Sequence, residues 1–119
     1  MTSFDLDQAF AAITDHERPS MLGAFAADTP CMLGVAAFSA GSREGLWERH
    51  DRGDELLVLL RGRMTFTLVH ADGTTTKHDL GAGQAICIPR GAAHTATIVE
   101  SIHVLFVTPR DGNASWPAA

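Results

Sequence analysis

The sequence has little positive charge. Lys77 is its only lysine, nine Lys and Arg stand against fourteen Asp and Glu, and the formal net charge is -5. Because an acidic surface does not attract the phosphates of nucleic acids or of anionic membranes, neither is expected as a partner. The sequence also lacks an apolar run of membrane-spanning length, and its N-terminus has no basic region followed by an apolar core. These absences predict a cytoplasmic protein.

Cysteine is also scarce, since Cys31 and Cys87 are the only two. Two cysteines in a domain expected in the cytosol are typical of free thiols rather than of a disulfide. Both lie in apolar stretches, which predicts that they are small core residues.

The length and composition that are present predict one folded domain over residues 1–119. Hydrophobic residues make up 45% of the 119 and charged residues 19%, as in ordinary globular proteins. A chain of this length can bury a core without disulfides or a structural metal.

The N-terminal segment has a helical pattern. Phe4, Ala9, Phe10 and Ile13 recur on one face of a helix over residues 3–14, with Thr2 or Ser3 as a cap. A loop follows to residue 20.

The rest of the chain is divided into short β-rich runs by Gly, Pro and Asp. These runs predict strands at residues 21–27, 31–39, 46–50, 55–61, 63–70, 75–79, 84–88, 94–99 and 102–108. Asp72-Gly73 between two of them is a hairpin signal, and residues 109–119 read as an extended surface tail. Many short strands at this spacing predict an all-β sandwich or barrel.

Two spaced motifs carry metal-ligand residue types. The first is His50-x4-Glu55-x6-Gly62, and the second is Gly83-x5-Pro89-x-Gly91-x2-His94. Gly62 is expected to allow a tight turn, and Pro89-x-Gly91 to fix the corner before His94.

Strand alternation places these side chains on common faces. Glu48 and His50 share one face of their strand, and Glu55 and His94 each lie on a further strand. If the inner faces coincide, the four side chains converge on one point. Imidazole nitrogens and carboxylate oxygens are suitable ligands for Fe, Mn, Ni or Zn.

These two motifs resemble those of the cupin superfamily of small β-barrels. The resemblance covers roughly residues 45–98 and implies a single double-stranded β-helix barrel with a short N-terminal helix. It also implies that His50, Glu55 and His94 are metal ligands. The chain departs from the family pattern at Glu48, where a histidine is usual, and at Ile98, where the family has asparagine.

Glu48 leaves three interpretations open. It binds the metal, it stands aside from a site of two histidines and one carboxylate, or metal binding is lost and Glu48 is a buried acid or base. In the last case two adjacent carboxylates are expected to raise one pKa.

The run from Leu56 to Leu60 is more apolar than simple alternation requires. Its outward members Leu56, Val58 and Leu60 would need cover, which favours a homodimer. Dimers are also common among single-domain cupins.

The motifs together predict a barrel that binds a divalent transition metal and a small organic ligand. An enzyme of dioxygenase, isomerase or lyase type on a small polar acid or sugar fits this prediction, with Glu48 as the catalytic base if it does not bind the metal. The alternative is a non-catalytic small-molecule or sugar-binding module with a degenerate metal site.

Overall fold

The described part of the chain is almost entirely β-structure. The computed structural model describes residues 3–118, and these form eight strands and one short helix. In chain order they are β1 (Ser3–Asp5), α1 (Leu6–Ala11), β2 (Cys31–Phe38), β3 (Leu46–His50), β4 (Glu55–Val69), β5 (Thr75–Gly81), β6 (Gln84–Ile88), β7 (Ala93–Pro109) and β8 (Asn113–Pro117). The paired strands are antiparallel. The predicted all-β fold with a short N-terminal helix is confirmed.

Two long strands form the frame of the barrel. β4 and β7 pair from Leu56↔Val107 to Val69↔Ala93. The first part of β4 also pairs with β6 and the second part with β5, while β7 pairs in the same way with β2 and β3. Because each long strand changes its outer neighbour halfway along, the sheet folds over on itself and encloses an interior.

β4 has an irregular position at Gly62. The β4–β7 register shifts between Leu59 and Met64, and Gly62 has a φ of +85°. The strand therefore runs through a β-bulge, where a residue of left-handed conformation turns the chain without ending it. The predicted break between residues 55–61 and 63–70 is wrong for this reason, and β7 likewise continues through the predicted break between 94–99 and 102–108.

Alternate residues of the long strands fill the interior. Met64, Phe66 and Leu68 recur at every second position of β4 and are buried, as one face of a strand requires. The core also contains Leu59, Leu80, Ile86, Ile88, Ala92, Ile98, Ile102 and Val104. Glu55 lies on the same face of β4 as Leu59, which directs its carboxylate into the barrel.

The N-terminal helix is shorter than predicted. Ser3–Asp5 pairs with β6, so the backbone of these residues is committed to the sheet and the helix begins only at Leu6. The cap is Asp5, whose carboxylate accepts a hydrogen bond from the Gln8 amide at 2.9 Å. The Thr2 alternative lies outside the described residues. The predicted apolar face is not buried, since Phe10 is 70% exposed.

Two predictions from apolar runs are wrong. Residues 21–27 form no strand, and their one sheet contact is the isolated bridge Ala27↔Gly53. Cys31 is exposed and Cys87 only half-buried, so neither is a core residue, although both are free thiols as predicted. The reason at Cys31 is that β2 turns one face outward, where Leu33 and Val35 are also exposed.

The predicted turn at Asp72-Gly73 is confirmed. Gly73 has a φ of +84°, and β4 and β5 pair up to Val69↔Thr75 on either side of it. The tail is extended as predicted, but it is also a sheet strand, because β8 pairs with β3 from Leu46↔Pro117 to His50↔Asn113.

The outward side of β4 is only partly covered. Leu56 and Val58 are half-buried and Leu60 is 58% exposed. The homodimer expected to cover this side stays a prediction.

None of the described residues belongs to a helix that is long and apolar enough to cross a membrane.

The bulge at Gly62 gives a stability prediction. Gly62→Ala should destabilise the fold, because the residue must keep a left-handed conformation and its new Cβ would meet the Ser101 backbone carbonyl. Gly73→Ala is the matched control, since its φ is nearly the same and no atom lies within 4 Å of the built Cβ. Both variants share the conformational cost of about 1–2 kcal/mol, and only Gly62→Ala adds the contact with the Ser101 carbonyl. Urea denaturation should therefore show a clearly larger loss of stability for Gly62→Ala. Equal losses would contradict the close-packed bulge.

Candidate metal centre

Four side chains from three strands meet inside the barrel. β3 carries Glu48 and His50 two positions apart, β4 begins with Glu55, and β7 carries His94 directly opposite Glu48. One ligand atom from each lies within 4.8 Å of every other. All four residues that the sequence predicted for the site are thus brought together, and we call them the His–Glu cluster.

The inner atoms of the cluster are the two Nε2 nitrogens and one oxygen of each carboxylate. Glu55 Oε1 lies 3.3 Å from His50 Nε2 and 3.5 Å from His94 Nε2. Glu48 Oε2 lies 3.9 Å and 3.7 Å from the same two nitrogens. Glu48 Oε2 is therefore near the same two nitrogens, at slightly longer distances than Glu55 Oε1.

The corner between β6 and β7 holds the two motifs against each other. Gly91 has a φ of +79°, its amide donates to the His50 carbonyl at 2.9 Å, and the Ala92 amide donates to the Pro89 carbonyl at 3.1 Å. The turn expected at Pro89-x-Gly91 is present, and it fastens the second motif to the end of β3.

The outer nitrogen of His50 fixes the orientation of that ring. His50 Nδ1 lies 2.8 Å from Asn113 Oδ1, and Asn113 Nδ2 donates to the Pro109 carbonyl at 2.7 Å. Since the amide nitrogen is used on Pro109, Oδ1 is an acceptor and His50 Nδ1 carries the hydrogen. In the neutral form of this ring, which is the form that binds a metal, Nε2 carries the lone pair and faces the cluster.

His94 and Glu55 are held in the same manner. His94 Nδ1 donates to the Ala92 carbonyl at 3.1 Å, so in the neutral form of this ring the Nε2 lone pair also faces inward. Thr108 Oγ1 donates to Glu55 Oε2 at 2.6 Å, so Oε1 is the oxygen left for the centre. Such outer partners orient the ligands of metal sites.

Glu48 differs from the others in its partner and its exposure. Its Oε1 accepts a hydrogen bond from Arg43 Nη2 at 2.6 Å, and the Arg43 guanidinium lies 4.7 Å from the Phe38 ring centroid. The Glu48 side chain is 27% exposed, against 6% for His50 and 8% for Glu55. Glu48 is therefore the member of the cluster that a ligand can reach.

The charges of the cluster stabilise one another. Burial opposes ionisation of Glu55, but His50 and His94 outweigh it and lower its pKa to about 2. The pKa of Glu48 is also lowered, chiefly by His94 and further by Arg43, although burial and Glu55 act against this. The expectation that adjacent carboxylates would raise one pKa is wrong, because the imidazoles and the guanidinium outweigh their repulsion.

The histidines shift in the opposite direction. Burial disfavours the charged ring of His94, but the Glu48 and Glu55 carboxylates raise its pKa to about 9. The pKa of His50 is raised as well, because Glu55 outweighs burial. Within residues 3–118 neither Nε2 has a hydrogen-bond partner of acceptable geometry, so the attraction is electrostatic.

The cluster is a possible metal site. An ion with ligand bonds of about 2.0–2.2 Å holds its adjacent ligands roughly 3.0–3.5 Å apart. The nitrogen–oxygen separations in the cluster are 3.3–3.9 Å, and all four ligand atoms lie within 4.8 Å of one another. Two buried nitrogens without hydrogen bonds face two carboxylate oxygens. A cation would satisfy all four atoms, and the mixed nitrogen and oxygen donors suit a divalent transition metal.

Cavities lie on both sides of the cluster. One of about 240 Å³ extends into the barrel and is lined by Glu48, Glu55 and His94 together with apolar side chains. Another of about 230 Å³ lies towards β8 and is lined by Glu48, His50 and Asn113 among others. The cluster is thus accessible to a small ligand despite its burial.

The protein is an antiparallel β-barrel that carries a candidate metal centre, the His–Glu cluster, on its inner face. The family model described as the cupin domain matches residues 34–108. This match covers more than half of the chain, and the chain belongs to the cupin family.

Solved structures with the same fold include oxalate decarboxylases. A deletion mutant of the Bacillus subtilis enzyme has a TM-score of 0.59 and 16% identity, over 75% of this chain and 24% of that chain. The formate complex of the Lactobacillus farciminis enzyme has a TM-score of 0.62 and 17% identity, over 73% and 27%. A further Bacillus subtilis structure, described for its Mn(II) centres, has a TM-score of 0.59 and 16% identity, over 75% and 24%.

The chain spans about a quarter of the length of these oxalate decarboxylases. No curated protein matches it.

Three residues of the site escaped the sequence reasoning, namely Arg43, Thr108 and Asn113. Thr108 is a polar residue at the end of an apolar run, which is a weak signal for a buried partner. Arg43 and Asn113 have no motif around them. Their roles follow from the turn before β3 and from the pairing of β8, which spacing alone does not reveal.

The shifted pKa values predict how the stability of the metal-free protein depends on pH. The folded-state pKa of His94 is about 9 against an ordinary 6.5, so its contribution is complete below pH 6.5 and is lost as the pH rises through 9. His50 contributes with the same sign. The loss should be on the order of 3 kcal/mol, measured by urea denaturation with a chelator present.

Glu55 sets the acid limit of the same profile. Its pKa is lowered from 4.5 to about 2, so its contribution is present above pH 4.5 and is lost as the pH falls through 2.

A His94→Gln variant is the control for the alkaline part of the profile, and its stability between pH 6.5 and 9 should depend less on pH. An unchanging stability of the unaltered protein across that range would contradict the charge balance described above.

Proposed function

We propose that this protein binds a divalent transition metal ion through Glu48, His50, Glu55 and His94. The single observation that carries the proposal is the pair of buried Nε2 nitrogens, neither of which has a hydrogen-bond partner among residues 3–118. A buried polar atom left unpaired costs about 1–3 kcal/mol. A bound cation would remove this cost at both nitrogens. The hydrogen bonds of the two Nδ1 atoms to Asn113 and to the Ala92 carbonyl already leave Nε2 as the nitrogen that can bind the ion.

The donor set favours Fe, Mn, Ni or Zn. Two imidazoles suit Fe, Ni and Zn, whereas two carboxylates suit Mn. Mn(II) centres occur in Bacillus subtilis oxalate decarboxylase, which is similar in fold to this chain. This similarity supports testing Mn²⁺ first.

A small organic ligand would occupy the barrel cavity beside the ion. The cavity adjoins Glu48, Glu55 and His94, so a ligand in it would touch the cluster on its exposed side. When bound, the ion would supply Lewis-acid or oxygen chemistry of the kind used by dioxygenases, isomerases and lyases.

If Glu48 does not bind the ion, it is the residue of this chain best placed to exchange a proton with that ligand. Its carboxylate is the most exposed of the four, and its pKa lies below the ordinary value with Arg43 among the causes. It is therefore ionised near neutral pH and available as a base. Arg43 keeps the carboxylate directed towards the cluster through Oε1.

Substitution of His94 tests the proposal. His94→Ala removes one inner nitrogen and should abolish stoichiometric metal binding, while the β-sheet signal in circular dichroism stays unchanged. His103→Ala is the matched control, because His103 lies on the same strand and is exposed. Retention of one ion per chain by His94→Ala, measured by elemental analysis, would disprove the role of His94 as a ligand.

Substitution of Glu48 separates its roles. Glu48→Gln keeps the size of the side chain and removes its charge. If the carboxylate binds the ion, the affinity for Mn²⁺ should fall at least about tenfold, since losing even an outer partner of a ligand has an effect of this size. Glu48→His restores the histidine that the cupin pattern usually has and should keep metal binding. Calorimetric titration measures both variants, and an unchanged affinity in Glu48→Gln would exclude Glu48 as an important ligand.

A further inference from the structure

The barrel cavity beside the cluster has an apolar wall. Its lining includes Phe38, Leu57, Phe66, Ile98, Ile102 and Phe106. These side chains come from β2, β4 and β7, the strands that enclose the interior. A ligand body that fills this space would gain about 25 cal/mol for each Å² of apolar surface removed from water.

The two threonines that border the cavity use their hydroxyl hydrogens on protein oxygens. Thr95 Oγ1 donates to the Leu46 carbonyl at 2.8 Å, and Thr108 Oγ1 donates to Glu55. Away from Arg43 and the cluster, the cavity wall offers a sugar or a wholly polar acid no side-chain hydrogen-bond donor that is not already used, which is unfavourable for its polar groups. This favours an apolar body over the polar acid or sugar expected from the sequence.

Arg43 supplies a cation at the cluster end of the same cavity. Within residues 3–118 the guanidinium donates one hydrogen bond, from Nη2 to Glu48 Oε1, and a guanidinium has five N–H donors. The Arg43 side chain is 39% exposed, and the residue has a φ of +65°. The left-handed backbone conformation, uncommon for a residue with a side chain, occurs in the turn that brings the guanidinium to the cavity.

The charge count also favours an anionic group on the ligand. With a divalent ion on the cluster, Glu48 and Glu55 balance its charge, and the positive charge of Arg43 is left over. One ligand carboxylate would neutralise it, and hydrogen bonds between charged groups are stronger than those between neutral ones.

The volume limits the size of the apolar body. The cavity holds about 240 Å³, which exceeds the roughly 150 Å³ that accommodates one benzene ring. It is below the range of about 300–1,000 Å³ that is typical of drug-sized ligands. A single ring or a short branched chain fits these bounds.

We infer that the ligand is an amphipathic monocarboxylate, with a compact apolar body in the barrel cavity and its carboxylate beside Arg43 and the His–Glu cluster. This inference rests on the proposed metal function for part of the charge balance at its anionic end. The apolar end depends on the cavity wall alone.

Three probes separate the two ends of the ligand. 3-Phenylpropanoate has both an apolar body and a carboxylate, 3-phenylpropan-1-ol keeps the body without the charge, and propanoate keeps the charge without the ring. Calorimetric titration into Mn²⁺-loaded protein should show that 3-phenylpropanoate binds at least about tenfold more tightly than either of the other two. Equal affinity of propanoate would overturn the apolar subsite, and equal affinity of the alcohol would overturn the anionic end.

Paired variants assign each end to its residues. Arg43→Gln should remove most of the preference for the acid over the alcohol. Ala36 lines the cavity whereas its neighbour Ala37 is exposed, so Ala36→Leu should weaken 3-phenylpropanoate at least tenfold and Ala37→Leu should not. An unchanged preference in Arg43→Gln, or equal effects of the two alanine variants, would contradict the inference.

Titration of the same proteins with Mn²⁺ alone separates this inference from the proposed function. Ala36→Leu leaves the cluster untouched and should bind Mn²⁺ like the unaltered protein. If the protein binds Mn²⁺ but not 3-phenylpropanoate, the ligand class is wrong and the metal function stands. If it binds 3-phenylpropanoate with the Arg43 preference but not Mn²⁺, the ligand class stands and the metal function is wrong.

Discussion

The burial of two imidazoles beside two carboxylates is the interaction on which the rest of the structure depends. Taken singly, each of these groups would be costly in an apolar barrel. Together they offset one another, since the imidazoles lower the pKa of Glu55 to about 2 and the carboxylates raise that of His94 to about 9. A positive charge between the two carboxylates is therefore favoured, whether it is carried by protons on the imidazoles or by a metal ion that would replace them.

Each side chain of the cluster is held in place by a hydrogen bond to the atom that faces away from the centre of the cluster. His50 is oriented by β8, Glu55 by the end of β7, His94 by the corner before β7 and Glu48 by the turn before β3. The tail and the turn, which look like simple connections in the sequence, therefore complete the site. The same turn brings Arg43 to the wall of the cavity beside the cluster.

The sequence was sufficient where the signal is local. Spacing and strand alternation predicted the barrel and the meeting of Glu48, His50, Glu55 and His94, because side chains two apart on a strand share a face. Asn113 could not be predicted, since it is 63 residues from His50 and reaches it through the pairing of β8. The predictions for the start of the helix and for a break at Gly62 were wrong because strand pairing decides both. Residues 3–5 pair with β6 instead of forming a helical turn, and β4 continues through a bulge at Gly62.

The metal content of the protein tests the central claim most directly. Untagged protein, purified without chelators and analysed for Fe, Mn, Ni and Zn, should contain close to one transition-metal ion per chain, or take up one Mn²⁺ per chain on titration. Protein that contains only trace metal and binds none of these ions on titration would contradict the account.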